Sequence, residues 1–276
     1  MKKPIKRSKL RAKAGMFYYK TKRKLLWLKM RRQFATERRG NALPELQFSH
    51  RTPLLRKLKD VDMYLQYNKI TNLRLAADKI NGVVVHPGQT FSFWYLVGKT
   101  SAKKGYKEGM ILKSGTVAKG IGGGLCQMTN LIYWITLHTP LKVTERYRHG
   151  YDVFPDSNRT QPFGSGATCY YPHLDLMVRN DTDRPFQLVV NVGEEYLTGE
   201  WRSVTPPEYS YEIIEKNHAM LPELWGGYSR HNELYRNVFD REGSFLREEF
   251  VVSNSAIMMY QPYLPAPEAD HSAYDR

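Results

Sequence analysis

Long apolar runs and cysteines are both scarce in this sequence of 276 residues. No uninterrupted apolar run approaches the ~18 residues that a membrane-spanning helix needs. The basic N-terminus resembles the start of a signal peptide, but its longest apolar run, residues 25–28, is flanked at once by Lys and Arg, so we expect no classical secretion signal. The sequence therefore favours a protein in the cytoplasm or bound peripherally at a membrane.

The two cysteines, Cys126 and Cys169, are too few for a disulfide scaffold.

Acidic residues are nearly absent from the first 40 positions, where Glu37 stands alone against 16 Lys and Arg residues. The rest of the chain carries equal numbers of acidic and basic side chains, so the basicity belongs to residues 1–40. A helix is predicted over residues 16–36, with Trp27, Met30 and Phe34 on one face. We expect a basic amphipathic arm that binds an anionic membrane surface. Nucleic acid is the less favoured partner. The alternative is a solvated arm that folds weakly or packs on the protein body.

Closely spaced metal ligands and a complete phosphate-binding loop are also missing. The candidate metal ligands are His138, His149, His173, Cys126 and Cys169. No two of them form a C-x2-C or H-x3-H pair. Gly115 and Gly120 have the spacing of a phosphate loop, but the Gly-Lys-Ser/Thr ending does not follow. We therefore expect neither a metal nor a cofactor.

A glycine-rich run followed by an apolar segment dominates the middle of the chain. Residues 120–124 contain four glycines and lead to Cys126, and the segment beyond is apolar on every face until Pro140. This pattern predicts a buried helix of about four turns. A cysteine in the first turn of a helix meets unpaired N–H groups and the positive end of the dipole, which stabilise its thiolate. Cys126 is therefore a candidate nucleophile; a structural cysteine that fills space under the helix is the alternative.

The same logic assigns supporting roles around Cys126. Gly122, Gly123 and Gly124 leave room for a substrate backbone and are predicted to donate N–H groups to an oxyanion. Residues 141–149 alternate as a strand and end at His149, which a strand returning from the helix can bring beside Cys126. Its imidazole is suited to act as general base and acid. Cys169 follows a glycine turn; it is predicted to be a strand side chain, with a resolving partner for Cys126 as the alternative.

Alternating and apolar segments predict an α+β fold, in which a mixed or antiparallel sheet packs on a buried central helix. A helix is predicted over residues 72–80, and a short helix beginning at Pro53 is predicted within a connector, residues 41–70. Strands are predicted at residues 83–86, 90–94, 141–149, 174–179, 185–192, 196–201, 209–215, 234–239 and 246–252. A turn at residues 180–183 is predicted to join two antiparallel strands, and a second turn is predicted at residues 240–243.

Several short segments of this chain resemble the VanW family, which is named for an accessory protein of vancomycin resistance in Gram-positive bacteria. The most specific match is Gly-Gly-Gly-Leu-Cys-Gln-Met-Thr-Asn at residues 122–130. The other matches are Pro-Gly-Gln-Thr-Phe-Ser-Phe at 87–93, Gly105-Tyr106, Glu145-Arg146 with His149, Leu-Asp-Leu at 174–176 and Arg-Asn-Asp-Thr-Asp at 179–183. The resemblance covers about residues 65–202. It implies a VanW-like domain within 41–202, between the basic arm 1–40 and a β-rich extension with a frayed C-terminus, 203–276.

The resemblance implies a role in cell-wall peptidoglycan metabolism or glycopeptide resistance. Proteins with this domain have been linked to cysteine-dependent L,D-transpeptidation of peptidoglycan. Cys126 would then attack a meso-diaminopimelate-type residue of a stem peptide, and His149 would act as base and acid. By the same resemblance the oxyanion-binding or substrate-binding residues would be Gly122, Gly123, Gly124, Gln127 and Arg146.

Two features depart from this expectation. The family pattern commonly has Gly-x-Asp-Ala-Thr where this chain has Gly-Ser-Gly-Ala-Thr at residues 164–168, so Gly166 replaces an acid that would orient His149. Loss of such an acid lowers the rate of known triads by several orders of magnitude. The candidates to substitute for it are Asp152, Asp175 and Glu145. In addition, a transpeptidase must meet peptidoglycan outside the membrane, and we predict no secretion signal.

Two hypotheses of function follow. The first is an enzyme that performs acyl transfer or hydrolysis on a cell-wall peptide through Cys126 and His149. The second is a non-catalytic accessory protein that binds a cell-wall precursor or a partner at the membrane surface through the same cleft and the basic arm. An enzyme requires a reactive thiolate, whereas a binding protein tolerates Cys126→Ser.

Overall fold

The computed structural model describes residues 8–55, 62–113, 115–153 and 161–262. Its helices are α1 (Lys9–Lys29), α2 (Met63–Ile80), α3 (Phe93–Val97) and α4 (Cys126–Leu137), with a short 3-10 helix at Ala102–Lys104. Its strands are β1 (Glu45–Pro53), β2 (Val83–Val85), β3 (Thr90–Ser92), β4 (Glu108–Lys113), β5 (Thr116–Ile121), β6 (Lys142–Glu145), β7 (Tyr151–Asp152), β8 (Met177–Arg179), β9 (Phe186–Val192), β10 (Tyr196–Ser203), β11 (Ser210–Pro222), β12 (Tyr228–Phe239) and β13 (Phe245–Met258). Helices and largely antiparallel sheets together confirm the predicted α+β class.

A four-stranded antiparallel sheet in the order β1-β10-β9-β2 supports the core. Alternate residues of β10 are buried, as expected for a strand with one face against the core. Helix α2 packs on β9, and α4 packs on β10 and β1. The indole Nε1 of the fully buried Trp201 donates a 2.9 Å hydrogen bond to Oγ1 of Thr136 on α4. The sheet therefore fixes α4 through both packing and a buried hydrogen bond.

Helix α4 is apolar around its circumference because the protein encloses it. Its fully buried side chains include Met128, Ile132 and Ile135. The helix ends at Leu137, where Arg236 on β12 donates to the carbonyls of Leu137 and Thr139. A helix C-terminus leaves such carbonyls without intrahelical partners and favours a cation beside them. The C-terminal sheet thus holds the end of α4 opposite Cys126.

Strands β3, β8 and β6 form a second antiparallel sheet with β8 at its centre. The prediction that residues 174–179 and 185–192 pair around a turn is wrong, because β8 and β9 lie in different sheets. The side-chain amide of Asn180 donates to the carbonyls of Val85 and Arg184. These bonds fix the chain where it leaves one sheet and enters the next.

Four other elements differ from the sequence-based expectations. Residues 41–55 contain strand β1 rather than an irregular connector, and α2 begins at Met63 rather than at residue 72. The short helix predicted from Pro53 is absent at residues 53–55, and residues 56–61 lie outside the described part of the chain. The strand predicted over 90–94 ends at Ser92, whose Oγ accepts a hydrogen bond from the N–H of Tyr95 and caps α3.

The N-terminal arm is helical, but not over residues 16–36. Helix α1 ends at Lys29, and Phe34 is buried beyond it with its ring stacked on Tyr95. The indole of Trp27 packs against Tyr95 and Tyr171. The amphipathic face predicted from Trp27, Met30 and Phe34 is therefore wrong, because Trp27 and Phe34 contact the protein body.

Residues 210–258 form most of a third sheet in the order β11-β12-β13-β7. The three long antiparallel strands include the segments predicted there, and β7 pairs in parallel with β13. The turn at residues 240–243 is closed by a 2.8 Å bond from the N–H of Ser244 to Oδ1 of Asp240. The predicted frayed C-terminus, residues 263–276, lies outside the described residues. In the part of the chain that is described, no helix combines the length and the apolar character required to cross a membrane.

Candidate functional site

Close backbone packing explains the glycines before α4. A Cβ on Gly123 would lie 2.2 Å from the carbonyl carbon of Gly109 on β4, and a Cβ on Gly124 would lie 2.2 Å from Cγ of Lys69 on α2. Gly124 also has a positive φ of 91°, which disfavours other residues. The side chain of Asn72 donates a 2.9 Å hydrogen bond to the carbonyl of Gly123. Gly123 and Gly124 therefore allow the start of α4 to pack closely against β4 and α2.

The N–H groups of two of the predicted oxyanion donors are already engaged. Gly122 donates to the carbonyl of Lys107 at 3.0 Å, and Gly123 donates to that of Gly120 at 3.0 Å. These backbone bonds hold the hairpin of β4 and β5 beside α4. The N–H groups of Gly122 and Gly123 are therefore not available to the oxyanion that the sequence analysis predicts.

Gln127 and Arg146, the other predicted substrate contacts, hold neighbouring segments. The amide of Gln127 donates to the carbonyl of Pro53 at 2.8 Å and so anchors the end of β1. The guanidinium of Arg146 donates to the carbonyls of Gly164 and Gly166. Burial lowers the pKa of Arg146, although a guanidinium stays charged in proteins. Arg146 thereby fixes the segment that leads to Thr168 and Cys169.

Four side chains from three parts of the chain meet at the start of α4. The sulfur of Cys126 lies 3.4 Å from Oγ1 of Thr168, 3.9 Å from the sulfur of Cys169 and 3.7 Å from the carbonyl oxygen of Cys169. Both cysteines are free thiols and partly exposed. The hydroxyl of Thr168 also lies 3.0 Å from Nε2 of His149. The two residues proposed as a catalytic pair are thus linked through Thr168.

The surroundings of Cys126 favour its thiolate. Hydrogen bonding to the thiol of Cys169 is the largest influence, and contacts with His149 and Thr168 act in the same direction against burial, so the pKa of Cys126 is well below its usual value. The N-terminal position on α4 adds a favourable dipole. Burial and the neighbouring sulfur raise the pKa of Cys169 well above its usual range. Of the two sulfurs, Cys126 is therefore the one whose surroundings favour the thiolate, with the Cys169 thiol as a hydrogen-bond donor to it.

A short bridge, rather than a continuous strand, positions His149. The strand predicted over residues 141–149 ends at Glu145. Tyr147 and Thr168 then form an isolated antiparallel bridge, with the N–H of Thr168 donating to the carbonyl of Tyr147 at 2.8 Å. The bridge sets His149 beside the Thr168 side chain.

Asp175, one of the candidate orienting acids, is completely buried among other donors. Its carboxylate accepts hydrogen bonds from Oγ of Ser92 at 2.6 Å and from the N–H groups of Trp94 and Leu176 at 2.9 Å. Burial raises its pKa to about 6 despite these donors. Asp175 thus joins β3, α3 and the segment before β8.

The other two candidate acids are paired with arginines. Glu145 forms a bidentate ion pair with Arg23 of α1, and both side chains are largely buried. Asp152 on β7 lies 3.5 Å from a guanidinium nitrogen of Arg230 and accepts a 2.9 Å hydrogen bond from the Tyr260 hydroxyl. The role of orienting acid for His149 stays a prediction for all three carboxylates.

Thr168 is the site residue that the sequence analysis does not identify. Two side chains of α4 hold the backbone of the preceding residue, Ala167, and so fix the position of Thr168. Oγ1 of Thr129 donates to the carbonyl of Ala167 at 2.7 Å, and Oδ1 of Asn130 accepts from the N–H of Ala167 at 2.8 Å. A Cβ on Gly166 would lie 2.7 Å from Oδ1 of Asn130, so this glycine makes room for Asn130. The signal in the sequence was the Thr-Cys pair directly after a glycine turn.

Neither the acids nor the histidines suggest an ion site. Among the described residues, no group of three or more His, Cys, Asp and Glu side chains is arranged to hold a metal.

A cavity of about 260 Å³ is lined by Tyr133, Leu137, Val143, Thr144, Glu145, Arg146, Val251 and Val252. Cys126 is not among its lining residues, so the thiol site and this cavity are separate.

Comparisons with known proteins agree with the signature around Cys126. The family model described as VanW like protein matches residues 68–202, which include Cys126, His149, Thr168 and Cys169. No solved structure matches the chain. The uncharacterized protein YoaR of Bacillus subtilis (strain 168) is 32% identical over 117 residues, which cover 41% of this chain and 36% of that protein.

A second relative matches over a longer stretch. The Vancomycin B-type resistance protein VanW of Enterococcus faecalis (strain ATCC 700802 / V583) is 38% identical over 186 residues, which cover 67% of this chain and 68% of that protein. This identity extends well beyond the glycine-cysteine signature. The chain therefore belongs to the VanW family.

Proposed function

We propose that this protein is a cysteine-dependent enzyme that performs acyl transfer or hydrolysis on a cell-wall peptide, with Cys126 as nucleophile and His149 as general base and acid. One observation carries the proposal: Thr168 Oγ1 lies 3.4 Å from the sulfur of Cys126 and 3.0 Å from Nε2 of His149. A cysteine that only fills space needs no donors that lower its pKa. The arrangement therefore favours a nucleophile over a structural thiol.

The reaction begins when the proton of the Cys126 thiol passes through the Thr168 hydroxyl to His149. The Cys126 thiolate then attacks the carbonyl carbon of the donor residue, forming a C–S bond and an oxyanion. As the intermediate collapses, the C–N bond breaks and protonated His149 gives its proton to the departing amine. An acceptor amine or water then attacks the thioester, loses a proton to His149 and releases the Cys126 thiolate. The Thr168 hydroxyl, which lies between the sulfur and the ring, relays these protons.

The oxyanion requires donors directed at the start of α4. The N–H of Cys126 is one of the groups that a helix N-terminus leaves without an intrahelical partner. It also lies at the positive end of the helix dipole. Because the N–H groups of Gly122 and Gly123 are engaged, Cys126 itself is the donor that we assign to the oxyanion.

The substrate class rests on the family. The relative named Vancomycin B-type resistance protein supports a role in glycopeptide resistance and hence on cell-wall peptides. We propose a stem peptide with a meso-diaminopimelate-type donor residue, from which a D-amino acid leaves. Transfer to an amine gives a cross-link, and transfer to water gives a trimmed peptide.

The test is acylation of the protein by a synthetic stem tetrapeptide that ends in D-alanine. Wild type is expected to gain the acyl mass on Cys126 in intact-mass spectra and to release D-alanine. Cys126→Ala is expected to form no adduct, and His149→Ala to acylate about 10²-fold more slowly. His86→Ala is the matched histidine control, since the ring of His86 pairs with Glu37 at the surface.

The outcome also separates the two hypotheses of function. Absence of both thioester and D-alanine, with meso-diaminopimelate and with lysine donor peptides, would contradict the enzyme. The accessory-protein hypothesis would then predict that Cys126→Ser binds a stem peptide as tightly as wild type, as measured by isothermal titration calorimetry.

A further inference from the structure

Helix α1 has one face against the protein body and another that faces solvent. On the inner face Arg23 is buried against Glu145 and the carbonyl of His173, and Trp27 packs on Tyr95. These contacts fix how the helix is rotated about its axis. They therefore also determine which side chains point away from the body.

The outward face carries large apolar side chains. Leu10 and Phe17 are 78% and 73% exposed, and Leu25 and Leu28 are 61% and 62% exposed. At about 100° per residue these four side chains fall within about 80° of one another around the helix axis, on the side away from Arg23. We call Leu10, Phe17, Leu25 and Leu28 the outer apolar stripe. Isolated apolar side chains at a surface are ordinary, whereas several large ones aligned along one side of a helix are typical of a contact surface.

Basic side chains flank the outer apolar stripe on both sides. Lys13, Lys20 and Lys24 follow one edge, and Arg11, Lys22 and Lys29 follow the other. All six are exposed, and α1 contains no acidic residue. Their aliphatic stems extend past an apolar surface while the charged ends stay in water. A stripe with cations on both edges is the arrangement of a helix that lies in the plane of a lipid interface.

We propose that the outer apolar stripe of α1 and its basic flanks bind the surface of an anionic lipid bilayer. The four apolar side chains enter the boundary between headgroups and acyl chains, and the flanking cations contact the anionic headgroups. The inner face of α1 stays packed on the body through Arg23 and Trp27. The membrane thus approaches the protein from the side opposite these contacts.

Charge alone would fit a nucleic acid equally well, and the apolar stripe decides between the two. Phosphate backbones require cations and, for single strands, accessible rings for stacking. Tyr18 and Tyr19 of α1 are exposed rings, but they lie outside the stripe, and three of its four residues are leucines, which offer neither charge nor a flat ring. A hydrocarbon interface accommodates leucine and phenylalanine equally.

The test is flotation of the full chain with vesicles of phosphatidylglycerol and phosphatidylcholine, against vesicles of phosphatidylcholine alone. Binding is expected only to the anionic vesicles and to weaken with salt. The variant Leu10→Ser/Phe17→Ser/Leu28→Ser is expected to lose at least about tenfold in partition coefficient. The variant Lys13→Gln/Lys20→Gln/Lys24→Gln is expected to lose more than about tenfold, since each surface cation contributes about fivefold.

The matched apolar control lies on the C-terminal sheet and its turn. The variant Leu221→Ser/Leu224→Ser/Phe250→Ser removes three exposed apolar side chains of similar size and is expected to bind vesicles as wild type does. Equal binding to neutral and anionic vesicles would overturn the proposal, as would unchanged binding of the stripe variant. Binding to a DNA or RNA duplex that survives the stripe variant but not the lysine variant, without vesicle binding, would assign the surface to nucleic acid.

A second measurement covers the case in which the serine variant loses the helix. Phe17→Trp keeps an apolar ring on the stripe, and brominated acyl chains quench a tryptophan that enters the bilayer. Quenching above that of wild type is expected for Phe17→Trp and not for the control Phe250→Trp. Equal quenching in the two variants would contradict insertion of the outer apolar stripe.

Discussion

The sulfur of Cys126 lies 3.9 Å from the sulfur of Cys169, yet the pKa values of the two thiols are shifted in opposite directions. The pKa of Cys126 lies well below its usual value, and that of Cys169 well above. Two like groups at this distance share a proton, because one charge between them is favourable and two are not. Contacts with Thr168 and His149 favour the charge on Cys126, and its position at the helix N-terminus acts in the same direction.

Removal of Cys169 is expected to raise the pKa of Cys126, because the strongest donor to its thiolate is lost. The measurement is the rate of alkylation by iodoacetamide against pH, with the modified thiol assigned by mass spectrometry. Its midpoint should move upward in Cys169→Ala and by less in Cys169→Ser, whose hydroxyl still donates. An unchanged midpoint in Cys169→Ala would show that the two thiols do not share a proton.

Thr168 provides an independent test of the link to His149. Thr168→Val keeps the shape of the side chain but removes the hydroxyl between the sulfur and the ring. We expect a higher pKa of Cys126 and about 10²-fold slower acylation by a stem peptide. Thr168→Ser restores the hydroxyl and should behave nearly as wild type. If the valine and serine variants react alike, the hydroxyl takes no part.

Local patterns in the sequence predict the start of α4, because a glycine run, a cysteine and an apolar segment are adjacent in the chain. The pairing of residues 174–179 with 185–192 is wrongly predicted because sheet partners are set by contacts far apart in sequence. Thr168 is missed for the same reason, since 42 residues separate it from Cys126. The outward face of α1 likewise depends on Arg23 meeting Glu145, 122 residues away.

The buried carboxyl of Asp175 makes stability depend on pH. Its pKa is raised from 3.8 to about 6, so on raising the pH from about 4 to 6 the unfolded chain ionises while the folded protein keeps its proton. Stability is therefore lost by about 2 kcal/mol over this range, and the full loss of about 3 kcal/mol is reached above pH 7. Asp175→Asn removes this dependence.

The measurement is urea unfolding of wild type and Asp175→Asn at several pH values from 4 to 7. The difference in unfolding free energy should move by about 2 kcal/mol in favour of the variant between pH 4 and 6. The lost acceptor for Ser92 adds an offset that does not depend on pH. Asp183→Asn, on an exposed turn, is the control. Parallel curves for wild type and Asp175→Asn would show that Asp175 ionises normally.

The ion pair of Arg23 with Glu145 is the link between α1 and the body whose loss should be most costly. Burial lowers the pKa of Arg23, but the hydrogen bond and charge of Glu145 outweigh it and the net shift is upward. Arg23→Gln leaves Glu145 as a largely buried carboxylate without its cation, which should destabilise the protein by about 2–4 kcal/mol. The double variant Arg23→Met/Glu145→Met should recover much of this loss, because it leaves no uncompensated charge.

Urea unfolding followed by circular dichroism measures these differences, with the exposed pair Arg179–Asp181 as the matched comparison. Arg179→Gln breaks an ion pair in water and should cost no more than about 1 kcal/mol. The vesicle-binding proposal depends on the same contact, since Arg23 fixes the rotation of α1 that turns its outer apolar stripe away from the body. If Arg23→Gln costs no more than Arg179→Gln, the pair does not hold α1 in place, and the orientation of the stripe must come from the packing of Trp27 alone.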